Sequence, residues 1–167
     1  MKARQLLVSS AAATSCMTAF SYLVSNLKKE NFREPALLAV LASNVHADLA
    51  GSVWAKPVGW LSHYVFGAAW SPLQYGFHRI RKSKASNKEA ASFGVFGGLT
   101  AALAWHLMFK LAKFPPENRR GHFYRHLILA HIVYSLSFWQ LIKKDITDQA
   151  DQTPRFLPAH IHAKGIL

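Results

Sequence analysis

Three histidines, His63, His106 and His131, lie inside stretches of the chain that carry no Asp, Glu, Lys or Arg. A neutral imidazole is the commonest metal ligand, and two imidazoles from facing helices can hold a haem iron axially. His63 follows Pro57 by six residues, His106 precedes Lys110 by four, and His131 follows Arg125 by six. If the helices alternate in direction, a rise of about 1.5 Å per residue sets all three roughly 6–10 Å below one surface. Matched depth on three helices marks them as candidate ligands for haem b or a metal ion, with electron transfer as the implied activity.

The loop beside that surface supplies a basic rim, Lys113, Arg119, Arg120 and Arg125, able to meet haem propionates or lipid phosphates. The charge-free stretches hold no carboxylate, which argues against a carboxylate-bridged di-iron site and removes the usual relay residue of a proton pump. Each histidine also has a plainer reading. His106 beside Trp105 suits the headgroup level, as do His122 and His126, and His131 could hydrogen-bond a serine across a bundle. On that reading the protein is a non-catalytic accessory or scaffold subunit that packs against other membrane subunits. No nucleotide loop, paired-carboxylate site or CxxC metal motif occurs, and no family resemblance is evident.

The elements that must position these side chains are the four charge-free stretches themselves, Leu6–Leu27, Pro57–His78, Ala90–Phe109 and His126–Ile142, in a protein with twenty basic and eight acidic residues. A hydrocarbon core of about 30 Å needs roughly 20 helical residues. Three stretches meet that length. The fourth is short, but Arg125, Lys143 and Lys144 can snorkel from its ends. The expected fold is an all-α integral membrane bundle of four up-and-down spans occupying residues 1–144. A polar tail, 145–167, follows. The mean hydropathy of +0.07 conceals this pattern because apolar spans and basic loops cancel in it. Lys2 and Arg4 before an apolar run imitate a secretory signal, yet the run continues to Leu27, the length of a span.

Within the first span Ser10, Thr14, Thr18, Ser21 and Ser25 recur every three or four positions, one stripe of a helix suited to close packing. Gly94-x-x-x-Gly98 in the third span predicts another tight crossing. Pro72 should kink the second span and release a carbonyl that Ser71 or a neighbouring helix must satisfy. Pro35 opens the ten-residue apolar run Ala36–Val45, too short to cross and expected as an interfacial or re-entrant helix.

The loop Arg79–Lys88, with Arg79, Arg81, Lys82, Lys84 and Lys88, is the densest basic run without acids. It is expected on anionic lipid at the cytoplasmic side. Eleven Lys and Arg fall on that side and nine on the other, which puts both termini in the cytoplasm and suggests a bacterial inner membrane. The net charge of +12 sits at helix ends, so anionic headgroups rather than nucleic acid are the expected partner. Cys16 is alone and forms no internal disulfide. His160-x-His162 offers at most a weak surface metal site.

Overall fold

The computed structural model describes residues 2–81 and 86–151. These form five α-helices and, among the described residues, no strand: α1 Ala3–Lys28, α2 Glu34–Val45, α3 Ala55–Arg81, α4 Asn87–Leu111 and α5 Arg120–Asp151. A short 3₁₀ turn, Ala47–Leu49, joins α2 to α3. Lys82, Lys84 and the His160-x-His162 pair lie outside the described residues.

Local chemistry sets the boundaries. Lys29 takes the left-handed conformation, φ 53°, and its N–H returns to Ser25 O, closing α1. Pro35 sits in the first turn of α2, where a missing N–H is harmless. Ser86 caps α4 by accepting from the Glu89 N–H at 3.4 Å. α3 runs unbroken through Pro72. Pro72 cannot donate to Ala68 O, and the Ser71 hydroxyl donates to that carbonyl instead, at 2.9 Å. α5 continues past Asp145, where the polar tail was expected to begin, because Ile142 and Ile146, one turn apart, both bury in the core.

The four long helices bury a seam of polar side chains beside their apolar core and expose many large apolar ones. Ser21, His63 and Gln74 are 0%, 5% and 0% exposed, whereas Val65, Leu73 and Leu103 are 55%, 58% and 61% exposed. α1 and α4 are long and apolar enough to cross a membrane. α3 and α5 have the length but not the apolarity, with buried polar residues His63, Ser71, Gln74 and His78 on α3 and His126, Tyr134 and Ser135 on α5.

Small residues govern the crossings. The hydroxyl stripe of α1 is buried from Ser10 to Ser25. Gly67 of α3 meets Thr14 so closely that a Cβ there would collide with its hydroxyl. A Cβ on Gly94 would stand 2.6 Å from Ile132 Cα and 2.8 Å from His131 O, and one on Gly98 would strike the backbone of Ile128. Both glycines therefore let α4 lie backbone to backbone on α5. Gly59 does the same for α2, whose Pro35 and Ala39 rest on α3. At its other end α2 is tied to the segment after α4: Asn44 Nδ2 donates to Phe114 O at 2.9 Å and Asn44 Oδ1 accepts from Phe114 N–H at 2.6 Å.

Candidate functional site: a cavity with a buried carboxyl

Between the five helices lies a cavity of about 390 Å³. Apolar and aromatic side chains form most of its wall, among them Met17, Phe66, Trp70, Trp105 and Leu127. Its polar wall is Glu34, His63, His131 and Tyr134. Phe66, Ala69 and Leu73 on α3 and Thr100 and Ala104 on α4 line the same space yet are exposed on the outer surface. The cavity thus reaches the outside sideways, through an uncharged gap between α3 and α4.

Of the three histidines matched in depth, two come together. His63 and His131 both line the cavity, whereas His106 is exposed and rests against Tyr124, its Nδ1 3.4 Å from the phenol oxygen. Depth was readable from chain position, but rotation about α4 was not, and Trp105 rather than His106 takes the inward position.

Hydrogen bonds fix the tautomers. Thr18 donates its single hydroxyl hydrogen to Thr14 O at 2.7 Å, so at 2.9 Å His63 Nε2–H must donate to Thr18 Oγ1. His131 Nδ1–H donates to Leu127 O at 2.8 Å, which leaves Nε2 as the lone pair of that ring. Tyr134 donates to Gly67 O at 2.8 Å and joins α5 to α3. Among the described residues, no group of three or more His, Cys, Asp and Glu side chains converges as a metal site.

The residue that sequence reasoning missed is Glu34. No carboxylate was expected inside the bundle, and Glu34 belonged to a basic turn. The chain instead folds back after α1, burying Phe32 and Glu34, the latter to 1% exposure. Glu34 opens α2, where an acid is favoured by the helix dipole. Its Oε1 accepts from Ser21 Oγ–H at 2.8 Å, while its Oε2 is buried without a hydrogen-bond partner. Desolvation raises its pKa to about 8, outweighing the hydrogen bonds from its own backbone N–H and from Ser21, which lower it. At neutral pH Glu34 is a neutral acid. The available signal was Pro35, which pins a helix start at an acid directly followed by ten apolar residues.

His126 is also more than an interfacial residue. It is 4% exposed, stacked between Phe20 and Phe32, with Nε2 2.9 Å from Ser21 Oγ and 3.8 Å from Glu34 Oε1. One turn away on α5, His122 meets Glu30 at 2.9 Å on the exposed end of the bundle, with Arg119 3.6 Å from the same carboxylate. Of the remaining basic candidates, Arg79 and Arg120 are exposed, Arg81 pairs with Glu89 at 2.7 Å, and Arg125 Nε donates to Gly121 O at 3.3 Å. No known protein family, no curated protein and no solved structure matches the chain.

Proposed function

We propose that this chain is a small integral membrane protein of four spans, α1, α3, α4 and α5, whose interior cavity binds an apolar molecule with a polar head taken up sideways from the bilayer. The single observation that carries this reading is the cavity itself: an apolar, aromatic wall, one buried carboxyl with an unpartnered oxygen, and an uncharged lateral mouth. Sites for small molecules have this make-up, a largely apolar enclosure with a few polar groups that orient the ligand. Apolar side chains on the outside of all four long helices support a lipid environment. An intramembrane ionisable group is by default a functional one, since burying it is unfavourable without a use.

The test uses the full chain in lipid nanodiscs and a brominated amphiphile as quencher of tryptophan fluorescence. Trp70 and Trp105, which line the cavity, should be quenched saturably. Leucines at Ala101 and Ala104, which narrow the cavity and its mouth, should abolish the saturable part. Quenching that rises linearly with probe and ignores the leucines would sink the reading.

A haem b or metal ion is the second reading, favoured by His131, whose Nδ1–H on a backbone carbonyl orients Nε2 as metal-bound histidines are oriented. His63 is less suited to it, with Nε2 spent on Thr18. A Soret band in the purified protein, lost in His131→Ala, would place this reading first. An accessory role is distinguished by co-purification with a larger membrane complex.

A further inference from the structure

Among the described residues Glu34 has no Lys or Arg partner, its one ion-pair contact is His126 at 3.8 Å, and no Lys or Arg lines the cavity. Arg33, its neighbour in sequence, turns away to Asn26 Oδ1 at 2.7 Å and over the Tyr22 ring. Ser21 and Tyr22 from α1 and His126 from α5 lie around Glu34, His63 from α3 and His131 from α5 line the same cavity, and α4 contributes only uncharged residues to it. Glu34, whose Oε2 is without a hydrogen-bond partner among the described residues, shares the lining of the cavity with Trp70, Trp105 and Phe66, rings whose faces attract cations.

We infer that the ligand of this cavity is a lipophilic organic cation, and that it binds in exchange for the proton of Glu34. This rests on the cavity being a ligand site. In the exchange the O–H bond of Glu34 breaks and an ion pair with the cation forms. The acidic proton, carried on Oε2 because Oε1 accepts from Ser21 Oγ–H, is released to the solvent. Ser21 Oγ–H together with His126 Nε2–H behind it, both donating toward Oε1, steadies the carboxylate that remains. One cation enters as one proton leaves, so charge inside the bundle is unchanged and neither ion is left alone in a medium of low dielectric constant. Desolvation that keeps Glu34 protonated in the empty cavity also makes the carboxylate a strong partner once a cation arrives.

The experiment measures binding of tetraphenylphosphonium to the full chain in nanodiscs by calorimetry, in two buffers of different ionisation enthalpy. One proton should be released per cation at pH 7, and the affinity should rise about tenfold per pH unit until the pH passes the Glu34 pKa and then level. Glu34→Gln should lower the affinity at pH 8 at least tenfold and remove its pH dependence, while quenching by the neutral brominated amphiphile shows that the variant retains its fold. Binding of the cation that is independent of pH, or unchanged in Glu34→Gln, overturns the exchange. Saturable quenching by the neutral amphiphile with no binding of tetraphenylphosphonium overturns it too, yet leaves the cavity as a ligand site. If neither probe binds, both readings fall.

Discussion

Glu34 Oε1 and His126 Nε2 stand 3.8 Å apart and meet through one atom, Ser21 Oγ, at 2.8 and 2.9 Å. Three elements distant in sequence thus converge on a single hydroxyl. Its loss would take the shared side-chain partner from a buried acid and a buried imidazole at once.

The first prediction concerns pH and stability. Glu34 has a folded pKa near 8 against an ordinary value of 4.5, so between these limits the folded state holds a proton that the unfolded state has released. Stability from this group is therefore fully present below pH 4.5 and is lost as pH rises toward 8, by about 1 kcal/mol per unit. Melting of the wild type in detergent should fall across pH 5 to 8 more steeply than that of Glu34→Gln. Parallel profiles would show that Glu34 is not the titrating group.

Ser71 offers a cleaner test of backbone satisfaction. Ser71→Ala leaves Ala68 O without the donor that replaces the N–H missing at Pro72, and should destabilise by about 1–3 kcal/mol. Adding Pro72→Ala restores a backbone donor and should recover most of the loss. A double variant no better than the single one would mean that Ser71 acts by another route.

Gly98→Leu should be among the most damaging substitutions on α4, since its Cβ alone would strike the Ile128 backbone. Overpacking of this kind costs about 1–3 kcal/mol or more. Gly76→Leu on α3, where a Cβ meets nothing within 4 Å, is the control and should melt like the wild type.

Topology is tested with single cysteines. After Cys16→Ser, Lys88→Cys and Glu117→Cys, at opposite ends of α4, should label from opposite sides of sealed vesicles. Labelling of both from one side would refute the four-span arrangement.

Much of the architecture was legible because small and polar residues recur at helical spacing where helices pack closely. The hydroxyl spacing from Ser10 to Ser25, the pair Gly94 and Gly98, and the role of Ser71 beside Pro72 are local patterns, and the structure places each at a helix contact or on the carbonyl it was expected to serve. The site was legible only in part. His63 and His131 were visible as unusual residues in apolar runs, whereas the facing of His106 depends on rotation about α4, which the crossing on α5 determines. Glu34 was hidden because it reaches the interior from α2, outside all four charge-free stretches, and the contact that buries it joins residues thirteen apart across a reversal of the chain. Counting acids within apolar runs does not see a carboxyl delivered from the side.

The glycine-mediated contact of α4 with α5 has a mechanical consequence. Those two helices are locked backbone to backbone, whereas α3 rests on α1 and α2 and is tied to α5 by bonds such as Tyr134 to Gly67 O. Between α3 and α4 lie ring contacts, Trp70 with Phe93 and Phe96, and Phe77 with Phe93, with centroids 5.1 to 6.1 Å apart. Aromatic rings can slide past one another at little expense, whereas glycine-packed backbones cannot. The seam that lacks glycine-packed backbone contact therefore coincides with the side door of the cavity, and on the ligand-site reading proposed above it is where a guest would enter.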